Sequence, residues 1–248
     1  MKRVDVLGIK FNHITMDESV EAILSYMGGS EQKTITTANP EIVMMARKDQ
    51  VFKQLINSGQ LTVADGIGVV IGSRILGCPL PERVAGYDLF HNVFDRIKGT
   101  DYKVYFLGAA PGIAAKAARN MRLKFEGLQV VGVHDGYFEL EDTQAIIDEI
   151  NEKEVDLVLV GLGAPKQERW IEDYGKRLNA KVLIGVGGSF DGMSGTVKRA
   201  PDIFIKLGLE WFHRLITQPS RARRMLQLPL FILVVIGTRI RGVFGHGI

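Results

Sequence analysis

The sequence has little of what several protein classes require. Its 248 residues include one cysteine, Cys78, which excludes an internal disulfide framework and any Cys-rich zinc or iron–sulfur site. We therefore expect an intracellular protein in which Cys78 is a small, buried or partly buried thiol rather than a nucleophile. No run of about 20 apolar residues occurs, so no transmembrane helix is expected. The first residues also lack an apolar stretch of signal-peptide length.

Acidic side chains are scarce at the C-terminal end of the chain. Residues 198–248 contain nine Lys or Arg against two Asp or Glu, and no acidic residue follows Glu210. Residues 1–197 carry a net charge of −4, so that the whole chain reaches +3. A basic end on a neutral-to-acidic body predicts a polyanionic partner, which could be nucleic acid, an anionic membrane surface or a diphosphate substrate.

Metal-binding and dinucleotide-binding patterns are also missing. The sequence has no Asp-x-Asp, and its five histidines show no metal-ligand spacing, so no metal is expected. Gly161 and Gly163 begin like a dinucleotide-binding fingerprint, but Lys166 stands where the third glycine is required. This departure argues against an NAD-dependent oxidoreductase.

Short β-rich runs alternate with longer segments of helical periodicity. Some runs, such as residues 157–160, are apolar at every position, which is typical of strands buried on both faces of a parallel sheet. The alternation predicts an α/β fold with a Rossmann-like, mostly parallel sheet and helices on both faces. The predicted strands are Val4–Leu7, Thr34–Thr37, Leu61–Ala64, Lys103–Leu107, Gln129–Val133, Asp156–Val160 and Lys181–Val186. The predicted helices are Asp17–Met27, Pro40–Arg47, Ile67–Leu76, Tyr87–Ile97, Ile113–Phe125, Thr143–Asn151 and Lys166–Leu178.

The composition changes once, near residues 196–201. We predict an α/β domain over residues 1–197 and a basic, apolar C-terminal appendage over residues 198–248, with a helical segment at Ile203–Ile216. Within the appendage, Leu228–Ile236 is too short to span a bilayer and is flanked by arginines. Such a segment suits the membrane interface, or alternatively a core or dimer interface.

Polar side chains follow the predicted strands, where an open parallel sheet binds its ligands. Thr37 and Asn39 follow the second strand, and the helix that begins there presents free N–H groups that favour an anion. Asn39 alternatively only caps this helix. Asp65 follows the third strand and is either a general base or the N-cap of the helix Ile67–Leu76.

Glycine-rich turns follow three further strands. The turn that begins at Gly108 can cradle a phosphate, because its small residues leave the backbone N–H groups unshielded. Lys166 and Gln167 begin a helix and can hold a phosphate and a sugar. Gly187 and Asp191 lie in the turn after the last strand.

Arginines of the appendage can supply the positive charge that a leaving diphosphate requires. Arg214, Arg221 and Arg224 are spaced to return to about the same face of a helix. Arginine binds phosphate through two parallel hydrogen bonds. A solvated or membrane-facing basic surface is the alternative interpretation.

Taken in order, these strings resemble the WecG/TagA/CpsF family of bacterial glycosyltransferases. The resemblance covers most of the chain and looks closest to the TagA type, which acts in wall teichoic acid assembly. Its most specific part is the run Gly-Leu-Gly-Ala-Pro-Lys-Gln-Glu at residues 161–168. The other matching strings are Thr37–Glu41, Ala64–Gly66, Arg83–Gly86, Phe106–Gly108 and Gly187–Asp191.

The resemblance implies an inverting, metal-independent transfer that uses no cofactor. N-acetylmannosamine would pass from UDP-N-acetylmannosamine to undecaprenyl-diphosphate-linked N-acetylglucosamine, with formation of a β-1,4 bond. The enzyme would lie peripherally on the cytoplasmic face of the bacterial membrane, with the anionic membrane surface as a partner. Other branches of the family use the uronic acid of N-acetylmannosamine or glucose, and a different donor of this kind is the alternative.

The resemblance also implies roles for single residues. Asp65 would deprotonate the acceptor 4-hydroxyl with Thr37 and Asn39 beside it, and Asp191 is the other candidate base. The pocket and donor contacts would be Thr37, Asn39, Arg83, Gln167, Gly108, Gly187 and Asp191. Arg214, Arg221 and Arg224 are expected to contact a diphosphate, either that of the leaving UDP or that of the acceptor.

Other classes of protein explain the sequence less well. A nucleic-acid-binding module would be expected to interleave aromatic residues with the arginines of the appendage, and few are there, so no nucleic acid is expected. A non-catalytic membrane scaffold leaves the polar strand ends without a purpose. The apolar appendage can also join copies of the chain into a homo-oligomer.

Overall fold

The structure is a computed structural model that describes residues 1–201, 203–204, 209–217 and 226–244. It begins with an antiparallel hairpin of β1 (Arg3–Val6) and β2 (Ile9–Asn12). The other six strands are β3 (Lys33–Ala38), β4 (Leu61–Ala64), β5 (Lys103–Gly108), β6 (Gln129–His134), β7 (Leu157–Gly161) and β8 (Val182–Gly185). They form one sheet in the order β4-β3-β8-β7-β5-β6, and every neighbouring pair is parallel. The predicted α/β fold is thus confirmed.

Eleven α-helices have defined bounds in these parts of the chain. They are α1 (Met16–Met27), α2 (Pro40–Ala46), α3 (Gln50–Ser58), α4 (Ile67–Ile75), α5 (Gly86–Ile97), α6 (Ile113–Lys124), α7 (Thr143–Glu152), α8 (Lys166–Tyr174), α9 (Ser189–Met193), α10 (Glu210–Thr217) and α11 (Gln227–Phe244). The predicted helix Lys166–Leu178 is too long, because α8 ends at Tyr174 and a 3₁₀ turn follows. The predicted start of α1 at Asp17 is also late: Thr15 is the N-cap, and its side chain and that of Glu18 form a capping box.

The N-terminal hairpin differs from the prediction of a strand at Val4–Leu7. The strand ends at Val6, and a turn at Leu7 and Gly8 leads back into β2, which the prediction missed. Its apolar side chains, among them Val6 and Phe11, are buried in the same cluster as α4. The hairpin therefore covers one edge of the core and adds no strand to the parallel sheet.

The parallel sheet separates two layers of helices. Along β5, Val104 and Phe106 join an apolar cluster with α1, α5, α6 and α9, whereas Tyr105 and Leu107 face a cluster on the opposite side with α7 and α8. A third cluster continues that opposite side with α2, α3 and α4. Burial on both faces explains why the strands β4, β7 and β8 are apolar almost throughout.

Helix α11 packs on α2 and α4. Phe231 and Val235 on its inner face are fully buried, and a Cβ at Gly72 of α4 would lie only 2.8 Å from the Phe231 ring. The outer face is apolar as well, with Leu233 67% exposed and Ile240 50% exposed. One face of the helix over Leu228–Ile236 is thus part of the core, as one of the alternatives for this segment held. A membrane-interface role for the other face stays a prediction.

No helix in the described parts of the chain is long and apolar enough to cross a membrane. The predicted helical segment Ile203–Ile216 is described only in part, and its C-terminal half corresponds to α10. The domain boundary at residues 197 and 198 stays a prediction.

Candidate active site

A cleft of about 280 Å³ lies at the carboxyl ends of β3, β4, β7 and β8. This is where an open parallel sheet binds its ligands. The structure brings most of the predicted site residues together here. Seven of them line the cleft: Thr37, Asn39, Asp65, Arg83, Gln167, Gly187 and Asp191.

Asp65 follows β4 and is held by a segment further along the chain. Its Oδ1 accepts a hydrogen bond from the backbone N–H of Gly86, the first residue of α5, at 2.7 Å. The alternative that Asp65 caps the helix after β4 is wrong, because the N-cap of α4 is Gly66, which makes no side-chain cap bond. The carboxylate instead meets a different helix, where a backbone N–H fixes its orientation beside the cleft.

Arg83 lies between Asp65 and the appendage. Its Nε donates to the backbone oxygen of Asp65 at 3.0 Å, and its Nη2 forms an ion pair with Glu210 of α10 at 2.7 Å. Burial on its own would lower the pKa of the guanidinium, but the carboxylates of Glu210 and Asp65 outweigh it and raise that pKa. Arg83 is therefore a fixed positive charge that ties α10 to the end of β4.

Thr37 and Asn39 occupy the end of β3. The Thr37 hydroxyl donates to the backbone oxygen of Gly185 on β8 at 3.0 Å. The Asn39 Oδ1 accepts the N–H of Ile42 at 3.0 Å and so caps α2. Asn39 thus has the capping role that was one of its two interpretations, and it also lines the cleft.

Gln167 connects β7 to the turn after β8. Its side chain is 2% exposed, and its Oε1 accepts the backbone N–H of Gly187 at 2.9 Å. Its Nε2 donates to Glu168 Oε1 at 2.8 Å. Both ends of the amide are therefore used to shape the wall of the cleft.

The structure places Gly108 apart from the cleft lining. This residue has a φ of +129°, and a Cβ there would lie 2.4 Å from the backbone of Gly161. The position therefore requires glycine for the close approach of β5 and β7. Its predicted contact with the donor stays a prediction.

The three arginines of the appendage are only partly described. Arg214 lies on α10, whose neighbouring residues Glu210 and Trp211 line the cleft. Arg221 and Arg224 lie outside the described residues. Their predicted contacts with a diphosphate stay predictions.

Sequence reasoning missed the segment that carries Lys198 and Arg199. Both residues line the cleft. Arg199 forms an ion pair with Asp88 at 2.7 Å, and its guanidinium lies 5.1 Å from the centre of the Tyr87 ring. The only signal in the sequence was the basic pair at the point where the composition changes.

The cleft contains more acidic than basic side chains. Among the described lining residues, five are acidic and three are basic. In the same ranges, no three His, Cys, Asp or Glu side chains are placed to hold one metal ion. A dianionic ligand would therefore need positive groups beyond Arg83, Lys198 and Arg199.

Comparisons with known proteins place the chain among relatives of similar length. A protein of Bacillus spizizenii is 39% identical over 212 residues, which cover 86% of this chain and 82% of that protein. One from Staphylococcus aureus (strain MRSA252) is 36% identical over 232 residues, 93% of this chain and 91% of its own. Both are named N-acetylglucosaminyldiphosphoundecaprenol N-acetyl-beta-D-mannosaminyltransferase.

A parallel α/β sheet with a polar cleft at the ends of four strands defines the class of α/β enzymes that bind substrate at the sheet's carboxyl edge. The model of the Glycosyl transferase WecG/TagA/CpsF family matches residues 4–243. The chain belongs to this family of glycosyltransferases.

Proposed function

We propose that the protein transfers N-acetylmannosamine from UDP-N-acetylmannosamine to undecaprenyl-diphosphate-linked N-acetylglucosamine. The reaction inverts the anomeric centre, forms a β-1,4 bond and contributes to the linkage unit of wall teichoic acid. The names of relatives at 36–39% identity support the acceptor and the transferred sugar. The main structural support for the mechanism is the position of the Asp65 carboxylate, which the Gly86 N–H holds at the cleft.

Asp65 acts as the general base in this mechanism. It takes the proton from the acceptor 4-hydroxyl, whose oxygen attacks the anomeric carbon of the donor. The bond from that carbon to the diphosphate breaks, and UDP leaves with the electron pair. A carboxylate whose orientation is fixed before the substrate arrives loses little entropy in this step.

The leaving diphosphate is stabilised by positive side chains of the protein. Arg83, Lys198 and Arg199 line the cleft, but two of them are already paired with Glu210 and Asp88. The proposal therefore assigns further diphosphate contacts to Arg214, Arg221 and Arg224. No metal or cofactor is needed in this scheme, since arginines and backbone N–H groups carry the charge.

The acceptor is a lipid, so the protein works at a membrane surface. The exposed apolar face of α11 and the basic appendage suit peripheral binding to an anionic membrane. We place the enzyme on the cytoplasmic face, where UDP-sugars are available. Copies of the chain can associate there, and no nucleic acid takes part.

The test is acceptor-dependent release of UDP from UDP-N-acetylmannosamine, with a short-chain lipid diphosphate of N-acetylglucosamine as the acceptor. Asp65→Asn should lower the rate by about 10²-fold or more, because general-base catalysis contributes about 10²–10⁴-fold. Asp191→Asn is the matched variant, as it removes the other candidate base from the same cleft. It should lower the rate much less than Asp65→Asn, because it alters a predicted contact with the donor and leaves the base in place.

Three results would contradict parts of the proposal. A rate that Asp65→Asn leaves intact and Asp191→Asn abolishes would move the base to Asp191. Turnover of UDP-glucose or the uronic acid donor instead of UDP-N-acetylmannosamine would assign the protein to another branch of the family. No UDP release with any of the three donors would contradict the transfer itself.

A further inference from the structure

A buried carboxyl group lies behind the cleft on the first turn of α8. Glu168 is 7% exposed, and within the described part of the chain its Oε2 makes no hydrogen bond. Burial raises the pKa of this carboxyl group. Burying an acid with half of its hydrogen-bonding capacity unused costs stability. Its other oxygen, Oε1, does accept a hydrogen bond, and this bond indicates the role of Glu168 at the cleft.

Glu168 Oε1 forms one end of a short chain of hydrogen bonds that reaches the cleft. It accepts from Gln167 Nε2 at 2.8 Å, while Gln167 Oε1 accepts from the backbone N–H of Gly187 at 2.9 Å. The Gly187 N–H can only donate, and it therefore requires the oxygen of the amide. The carboxyl oxygen of Glu168 accepts at the opposite end, where it requires the nitrogen. Together they select one of the two possible orientations of the Gln167 side-chain amide.

The amide is also confined by the sheet. A Cβ at Gly185 of β8 would lie 2.6 Å from Gln167 Nε2, so the amide lies directly against the strand backbone. The backbone oxygen of Gly185 in turn accepts from the Thr37 hydroxyl. The Gln167 side chain thus joins the turn at Gly187 to the end of β8, and the Thr37 hydroxyl joins the end of β3 to the same strand.

We propose that Glu168 is a positioning residue, which holds the Gln167 amide in the orientation that fixes the Gly187 turn at the wall of the cleft. Without the Glu168 acceptor, one hydrogen bond instead of two selects the orientation of the amide, and the turned-over orientation becomes more accessible. In that orientation Nε2 faces the Gly187 N–H, donor against donor, and the turn loses its anchor. The effect of this turn on donor binding rests on the proposed function, whereas the anchoring of Gly187 does not.

The anchoring is tested without any substrate, by amide hydrogen exchange at Gly187 followed by NMR. Glu168→Ala should accelerate exchange at Gly187 by about 10-fold or more and leave the amides of β7 unchanged. Glu168→Gln keeps an acceptor oxygen in the same place and should restore slow exchange. Glu172→Ala removes an exposed acid from the same helix and is the matched control.

The consequence for catalysis is tested by the split between KM and kcat. Glu168→Ala should raise the KM for UDP-N-acetylmannosamine about 5- to 10-fold, the loss expected for one hydrogen bond, and change kcat less than about twofold. Glu168→Gln should return KM to the wild-type value. If the wild type shows no turnover, the proposed function fails, and the exchange measurement still decides the role of Glu168.

Two outcomes of the exchange measurement would overturn the inference. One is an unchanged exchange rate at Gly187 in Glu168→Ala. The other is accelerated exchange throughout β7, which would show that Glu168 only supports the fold. A Glu168→Gln variant as impaired as Glu168→Ala would overturn it as well, because the acceptor oxygen is still there.

Discussion

Single side chains of the cleft are held by backbone groups that lie far away in the sequence. Thr37 bonds to Gly185, 148 residues further on, and Asp65 bonds to the N–H of Gly86, 21 residues further on. These bonds fix rotamers before a substrate arrives. At the scale of the residue, the site is therefore preorganised by the strands and helices around it.

The ion pair between Arg83 and Glu210 gives a prediction at this scale. Glu210→Ala should lower kcat/KM in the UDP-release assay about 5- to 10-fold, because a partly buried charge-assisted hydrogen bond is lost. Since Glu210 acts here through Arg83, the double variant with Arg83→Ala should be no worse than Arg83→Ala alone. Additive losses in the double variant would show that the two side chains act independently.

The types of these residues could be predicted from the sequence, but their partners could not. Asp65 follows an apolar strand, and this position made it a candidate that was either a general base or a helix cap; only the family resemblance favoured the base. Its bond to Gly86 could not be read from spacing, because the path of the chain between them is set by tertiary packing. The same reason explains why Lys198 and Arg199 were missed: nothing local indicates that both line the cleft or that Arg199 pairs with Asp88.

Strands and helices differ in how clearly the sequence marks them. The ends of the buried strands of the sheet were predicted to within one or two residues. Both faces of these strands are apolar, and turn-forming residues precede and follow them. β2 has four residues and follows a two-residue turn, so the prediction passed over it. The helices α3 and α9 were missed as well. α9 has five residues, too few to show a helical period, whereas α3 is amphipathic and buries Phe52 and Ile56 on one face, so the sequence did carry a signal for it.

The close packing of α11 on α4 depends on the absence of a side chain at Gly72. Gly72→Ala should lower the free energy of unfolding, because its Cβ would lie 2.8 Å from the Phe231 ring and 3.3 Å from Val235. Overpacking costs about 1–3 kcal/mol, which offsets the roughly 1 kcal/mol that alanine gains over glycine in a helix. Urea unfolding measures the change.

Gly237→Ala is the matched control for that measurement. This glycine lies in α11, and a Cβ there would meet nothing within 4 Å. The substitution should raise the free energy of unfolding by up to about 1 kcal/mol, the difference in helix propensity. Equal stabilisation by both alanines would contradict the described packing of α11 on α4.

The whole molecule carries its charge and its exposed apolar side chains unevenly. Basic residues and the outer face of α11 lie at the C-terminal end, whereas the rest of the chain is slightly acidic. The sequence was enough to indicate this asymmetry of charge, because counting the acidic and basic residues along the chain reveals it. It could not indicate which face of α11 packs in the core. Both faces of this helix are apolar, so its sequence shows no alternation of polar and apolar residues that would distinguish them.

The asymmetry predicts how the protein binds vesicles. Partition onto phosphatidylglycerol vesicles should weaken as salt is raised, and Arg241→Gln should lower it about fivefold, at roughly 1 kcal/mol per basic residue. Lys116→Gln removes an exposed charge on α6 and should change nothing. Equal losses in the two variants would contradict a specific role of the C-terminal end.

The order of strands in the sheet has a consequence for how the chain folds. β8 lies between β3 and β7, and it pairs residues such as Thr34 and Leu183, about 150 positions apart. Before β8 is added, β4 with β3 and β7 with β5 and β6 are two separate half-sheets. During synthesis, the ribosome therefore has to release most of the chain before the central strand can join them. Contacts of such long sequence separation form slowly, and the cleft, which spans both halves, is completed in the same late step.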